Sequence, residues 1–120
     1  MESILQTIKL KLGLNPDYKT AFDDSITSSI NSAFVRLRTL GVGPMSGAPF
    51  HITGETETWD DFFGDNEKID TVKDYVYLKT KLVFDPPSSS FVIEAYKHQL
   101  EEMEFTFIVL QTDKEKEKEA

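Results

Sequence analysis

The sequence predicts an all-α protein that folds as a single small domain, a bundle of four main helices. Apolar residues recur at spacings of three and four along four stretches of the chain, which is the period of an amphipathic helix. Segments rich in glycine, proline and small polar residues separate these stretches, and such segments end helices. The 120 residues are enough for one hydrophobic core and not for two.

The first two helices are predicted over residues 2–13 and 20–40. Gly13 is placed to end the first helix, since glycine tolerates the left-handed conformation that follows many helices. Thr20 and Asp23 have the spacing of a capping box, in which each side chain bonds the other residue's backbone N–H. This capping box predicts where the second helix begins.

Residues 41–58 form an irregular loop, because glycine, proline, serine and threonine dominate them. Within this loop, residues 49–53 are compatible with a short strand, although no partner strand is evident. Thr58 and Asp61 again have capping-box spacing, so one short helical turn is predicted over residues 59–64.

The third main helix is predicted over residues 66–84, capped by Asp65 or Asn66. Its apolar residues cover a wide arc, so this helix is expected to be the most enclosed. Pro86 and Pro87 cannot continue it, because a proline lacks a backbone N–H and clashes with the preceding turn. The two prolines therefore predict a stiff elbow before the last helix.

The fourth main helix is predicted over residues 89–112. Its apolar side chains follow an almost strict seam of the coiled-coil type, formed by Val92, Tyr96, Leu100, Met103, Phe107 and Leu110. Residues 113–120 are almost all charged, which predicts a disordered C-terminal tail. The helical domain is accordingly predicted to span residues 1–112.

The composition argues against several classes of function. The chain has no cysteine, which removes disulfides, thiolate catalysis and cysteine zinc sites. No apolar run is long enough to cross a membrane, and the N-terminus lacks the basic region of a secretory signal. The net charge is −8, and Lys and Arg form no cluster that would hold a DNA duplex.

The sequence also shows no catalytic constellation. His51 and His98 have no serine, cysteine or acid at a spacing that implies a triad. The acidic cluster of residues 60–70 misses the pattern of an EF-hand loop, because Phe62 and Phe63 occupy positions that need oxygen ligands. We expect no enzyme activity, no cofactor and no metal. A metal-dependent hydrolase built on the acidic cluster is kept as the third alternative.

Two groups of apolar side chains each allow two interpretations. Trp59, Phe62 and Phe63, in a loop of small polar residues, either plug one end of the bundle or form a patch that binds a partner. The seam of the last helix predicts core packing, but its C-terminal part can run past the shorter first helix and expose apolar surface. The candidates for that exposed surface are Phe105, Ile108, Val109 and Leu110.

Three stretches carry a family resemblance, namely residues 40–44, 58–65 and 72–92. The most specific part is the run Asp-Pro-Pro-Ser-Ser-Ser-Phe at residues 85–91. Together they resemble the head–tail connector, or head-completion adaptor, family of tailed bacteriophages (siphophages), whose members are often labelled DNA-packaging proteins. The resemblance covers nearly the whole chain, from Ile4 to about Phe107.

The resemblance implies a structural role without catalytic chemistry. Such proteins form a ring of identical subunits beneath the portal protein once the genome is packaged, expected to be a dodecamer that follows the portal's symmetry. The ring extends the DNA channel, through which DNA passes without specific binding. It is the platform for the next head-completion (stopper) or tail protein, which places the chain in the virion after assembly in the bacterial host cytoplasm. The free chain can remain monomeric until it meets the portal.

Two docking surfaces are expected on this interpretation. One is the end of the last helix, from Phe105 to Leu110, and the other is the elbow at Pro86 and Pro87. The loop that carries Trp59 is a further candidate. The alternative function is a helical adaptor or regulator that binds a single protein partner without forming a ring.

Overall fold

The computed structural model describes residues 2–15, 21–64 and 68–119, with side chains described up to residue 113. These residues form five helices and no strand, which confirms the all-α prediction. The helices are α1 (Ile4–Lys11), α2 (Asp23–Thr39), α3 (Trp59–Phe63), α4 (Thr71–Phe84) and α5 (Ser90–Glu119).

The helix α1 begins at a side-chain cap and is tied to the segment before α3. The hydroxyl of Ser3 accepts a hydrogen bond from the backbone N–H of Gln6, which satisfies one of the free donors of the first turn. Ser3 also forms an isolated antiparallel β-bridge with Thr58. Beside it, the Ile4 N–H donates a hydrogen bond to the Glu57 carbonyl at 3.1 Å. The start of the chain and the start of α3 are thereby held side by side.

The core lies where α1 and α4 pack against α2, and α3 closes one end of it. The apolar stripe of α2 points inward, and α4 contributes a wide buried arc, as its sequence predicted. Lys9 is buried with them, and its ammonium group lies 2.8 Å from the Asp23 carboxylate. The side chains with no measurable exposure include Ile4, Ile8, Ile26, Ile30, Leu37, Val72, Tyr75 and Val76.

The loop between α2 and α3 is ordered without forming the short strand considered for residues 49–53. The side chain of Asn31 on α2 accepts from the Ile52 N–H at 2.7 Å and donates to the Ile52 carbonyl at 3.0 Å. One amide thus satisfies both backbone groups that a neighbouring strand would otherwise bond. Arg38 donates to the carbonyls of Met45 and Gly47, which holds the tip of the loop.

Two helices begin three or more residues later than predicted. The helix α2 begins at Asp23, with Phe22 at the N-cap, and Thr20 lies outside the described residues. The helix α4 begins at Thr71 rather than near residue 66, and the proposed caps Asp65 and Asn66 also lie outside the described residues. Acidic and small polar residues are common both in the turn before a helix and in the first turn of the helix. A start predicted from composition alone is therefore placed too early.

The helix α5 continues to Glu119, where the sequence predicted an end near residue 112 and a disordered tail. Lysine and glutamate are good helix formers and propagate a helix that is already nucleated, which explains the extension. With 30 residues, α5 is about 45 Å long at 1.5 Å per residue, against about 21 Å for the 14 residues of α4. The helix α5 packs mainly on α4, and its packed positions run from Val92 to Gln111, whose side chain lies against Gly41 after the end of α2.

Candidate docking surface

The three aromatic residues of α3 belong to the core, so the structure favours the end plug over the partner patch, the two interpretations that the sequence allowed. Trp59, Phe62 and Phe63 are all almost fully buried. The ring of Phe62 lies 4.8 Å from that of Phe34 on α2 and 5.3 Å from that of Phe50 in the loop. The cluster plugs one end of the bundle.

Local bonds explain why these aromatics face inward. The predicted capping box is present, because Thr58 Oγ1 accepts from the Asp61 N–H while the Asp61 carboxylate accepts from the Thr58 N–H. The indole N–H of Trp59 donates to Thr7 Oγ1 at 3.2 Å, so burying the ring leaves no polar atom unsatisfied. The capped turn therefore directs its apolar side into the bundle and its acids outward.

A glycine allows the loop to pass close to this cluster. Gly43 has φ +93°, and a Cβ atom placed there would lie 2.6 Å from the ring of Phe62. Both the left-handed backbone and the short distance exclude a larger residue without rearrangement.

The predicted seam of α5 is buried against the bundle at two of its six side chains. Of its predicted seam, Leu100 and Phe107 are buried, and the ring of Phe107 lies 5.6 Å from that of Tyr75 on α4. Val92, Tyr96 and Met103 are half-buried, and Leu110 is exposed. The seam predicted from the sequence thus packs in its middle and leaves the core before its C-terminal end.

A polar clamp that the sequence analysis missed reinforces this packing. The hydroxyl of Tyr75 donates to Glu104 Oε2 at 2.6 Å, and Arg36 on α2 donates to Glu104 Oε1 at 2.9 Å. Burial raises the pKa of Tyr75, and its bond to Glu104 raises it further. Burial alone would raise the pKa of Glu104, but the bonds from Arg36 and Tyr75 outweigh it and the pKa is lowered. Glu104 therefore holds α2, α4 and α5 together as a carboxylate.

Beyond this clamp, α5 carries apolar side chains all round, and those away from the Phe107 side are exposed. Five of the six residues from 105 to 110 are apolar, and among them Phe107 alone is buried. A helix that is apolar all round is normally enclosed by other structure. The four sequence-predicted candidates are solvent-accessible here, with exposed fractions of 68% for Phe105, 48% for Ile108, 40% for Val109 and 37% for Leu110.

The elbow forms a second exposed apolar region. α4 ends at Phe84 and α5 begins at Ser90, so Pro86 and Pro87 break the helix as predicted. Pro86 is exposed and Pro87 half-buried. Ser89 Oγ accepts from the Val92 N–H at 3.4 Å, a long bond at the start of α5.

The sequence analysis missed part of the apolar surface near this elbow. Phe22 is half exposed although its ring packs edge-on against Phe84, with the ring centroids 5.5 Å apart. Val83 and Phe91 are among the most exposed apolar residues of the described chain. An open cleft of about 590 Å³ lies beside Val83 and Phe84, bordered by Asp24 and serines at the start of α2. Phe91 lies off the α5 seam, which begins at Val92, and this offset in the sequence could have predicted its exposure.

Two of the acidic residues near α3 have bonding partners in the described part of the chain, since Asp60 forms an ion pair and Asp61 belongs to the capping box of α3. Asp60 lies 2.9 Å from Lys68, and this lysine lowers the pKa of Asp60 through a hydrogen bond and its charge. Within residues 2–15, 21–64 and 68–113, no group of three metal-ligating side chains comes together. Asp65 and Glu67 of the predicted cluster lie outside the described residues.

Comparison with protein families identifies the chain. The family model described as "Phage connector protein" matches residues 4–115, nearly the whole sequence. No curated protein and no solved structure matches the chain. No helix in the described part of the chain is long and apolar enough to cross a membrane. Connector families consist of structural virion components that contact other head and tail proteins, and this chain belongs to the phage connector protein family.

Proposed function

We propose that this protein is a head–tail connector that docks as a ring beneath the portal protein after DNA packaging. The ring extends the DNA channel and is the platform for the next head-completion, stopper or tail protein. Family membership supports a connector role, and the ring, its expected dodecameric state and the portal contact are the parts that we add. The chain acts as a structural component, without catalytic chemistry.

The observation that carries this proposal is the exposed apolar end of α5. Phe105, Ile108, Val109 and Leu110 present apolar surface in several directions around a stretch of α5 that the bundle covers only on the side of Phe107. Large exposed apolar surface on a small domain marks a site for another protein. We assign this end of α5 to the portal contact.

The elbow is the second proposed docking surface. A closed ring requires two different patches on each subunit, so that one subunit's first patch meets the next subunit's second patch. Pro86 and Pro87 hold the elbow rigidly because their φ angles are fixed. A rigid exposed turn can make the same contact in every subunit without loss of conformational entropy.

The charge of the chain fits a channel through which DNA slides. The net charge is −8, and residues 55–74 alone carry 8 acidic and 2 basic side chains. A channel wall without clustered Lys and Arg does not displace the counterions from the DNA phosphates. It therefore does not hold the duplex. Replacing channel-facing acids by lysine should slow DNA ejection, and unchanged ejection would contradict this part of the proposal.

Co-sedimentation with the cognate portal tests the function. Saturable binding at one copy per portal subunit, on isolated portal rings and on DNA-filled tailless heads, is the expected result. Absence of binding by the folded chain to either would contradict the connector role. It would favour the alternative, an adaptor or regulator that binds one partner in a one-to-one complex.

A further inference from the structure

The outward face of α5 carries a second, regular series of residues. Its members recur at alternating spacings of four and three, and each of them is exposed: Phe91, Ala95, His98, Glu102, Phe105 and Val109. This is the strict heptad spacing of a helix that pairs with another helix. The series lies on the side of α5 opposite Leu100 and Phe107, so the bundle's own core does not use it.

The order of residues along this face is complementary to itself when a second α5 helix runs in the opposite direction. If the two helices cross near residue 100 of each copy, Phe91 faces the second copy's Val109, and Ala95 faces its Phe105. The first layer joins two apolar side chains, and the second joins a small one to a large one. Each layer occurs twice, because a two-fold axis relates the helices.

The central layers of the same arrangement pair opposite chemistries. His98 falls against the second copy's Glu102, and Glu102 against the second copy's His98. Within one helix, His98 Nε2 already lies 3.2 Å from Glu102 Oε1, so both polar groups lie on this face. Imidazole donates a hydrogen bond to a carboxylate whether it is neutral or charged. A parallel pair would instead place each Glu102 against its own counterpart, like charge against like.

We propose that this face of α5 binds a second copy of the chain as an antiparallel, two-fold helix pair. One antiparallel register pairs the apolar ends of the face with each other and its polar centre with itself. A face that is exposed only to solvent has no need of such a match. Glu101 flanks the centre and would lie near Glu101 of the second copy. Because salt screens the repulsion between these two carboxylates, added salt should strengthen the pair.

The pair would cover part of the surface assigned to the portal. Phe105 and Val109 belong both to this face and to the exposed end of α5. Dimerisation would therefore protect that surface until the portal competes for it, a consequence that rests on the proposed function. The dimer itself does not rest on it, because it concerns the free chain alone.

Sedimentation equilibrium of the full chain tests the pairing. The wild type is expected to dimerise reversibly, and Glu102→Lys, which places Lys against His98, should raise the dissociation constant at least about tenfold. His98→Glu should do the same by placing two carboxylates together. The double variant His98→Glu/Glu102→Lys restores opposite charges in the antiparallel register only, and it should recover the dimer. Lys97→Glu, which lies off this face, is the control and should leave the dissociation constant unchanged.

Two results would overturn the proposal. One is a wild-type chain that stays monomeric up to high micromolar concentration at high salt. The other is a wild-type dimer that the single charge changes do not weaken, or that the double variant does not restore. Portal co-sedimentation of Glu102→Lys is read separately: loss of binding there would count against the assigned portal surface, while the self-association data decide the dimer.

Discussion

The aromatic cluster of α3 and the apolar end of α5 look alike in sequence and have opposite fates in the structure. Both place several large apolar residues within a few positions of one another. Trp59, Phe62 and Phe63 are buried, whereas Phe105 and Ile108 are exposed. The difference lies in what covers each segment, since hydrophobicity alone is similar.

The cover over α3 is built by the chain itself. The loop before α3 is tied to α2 by Asn31, and the ring of Phe34 on α2 meets that of Phe62. The end of α5 has no equivalent: Phe107 and Gln111 still contact the bundle, but no segment of the described chain covers the outward side that carries Phe105. An apolar segment with a tethered loop beside it is therefore buried on all sides, whereas one that only a single side of the bundle covers keeps its outward apolar residues exposed.

The largest expected effect separates these two regions by the same chemical change. Phe62→Ala should lower the free energy of unfolding by about 3 to 5 kcal/mol, because it opens a cavity among packed rings. Phe105→Ala should change it by less than about 0.5 kcal/mol, since that side chain is mostly exposed. Urea unfolding of both variants measures the contrast, and equal losses would show that the end of α5 is packed after all.

A glycine next to the cluster should show the next largest effect. Gly43→Ala combines a strained left-handed backbone with a Cβ directed at the Phe62 ring, and about 2 to 4 kcal/mol of stability should be lost. Gly47→Ala is the matched control, with φ +74° and open space around the new Cβ, and should lose only about 1 to 2 kcal/mol. If the two variants lost the same amount, the tight packing of loop on cluster would be wrong.

A smaller effect is expected at the clamp between the two regions. Tyr75→Phe removes the hydrogen bond to Glu104 and should lower the free energy of unfolding by about 1 to 2 kcal/mol. Arg36 still bonds the carboxylate in that variant, which limits the loss. A neutral result would mean that Tyr75 contributes through its buried ring alone.

The clamp also gives a pH dependence whose sign is fixed. The pKa of Glu104 is lower in the folded chain than its ordinary value of 4.5, so its contribution is complete above that pH. The contribution is lost as the pH falls through the lowered value. The stability advantage of wild type over Glu104→Gln should therefore be constant near neutral pH and shrink toward pH 3. An advantage that grows on acidification would contradict the clamp.

The local sequence was sufficient to predict the main helices, the elbow and the cap of α3, because apolar periodicity, prolines and capping residues act on their immediate neighbours. It could not decide the fate of Trp59 and Phe62, since their cover comes from Asn31 and Phe50, which are distant in sequence. The clamp was missed for the same reason: Arg36, Tyr75 and Glu104 lie on three helices. The exposure of Phe105 was predictable because it lies off the apolar seam of α5, on the side opposite Phe107.

The central claim is that the end of α5 binds the portal while the aromatic cluster only supports the fold. Co-sedimentation of portal rings with Phe105→Ser/Ile108→Ser tests it most directly, with Leu10→Ser as a control of nearly equal exposure, 67% against 68% for Phe105. The account predicts that the double variant remains folded and loses portal binding, while Leu10→Ser binds as the wild type does. Full binding by the folded double variant would contradict the account.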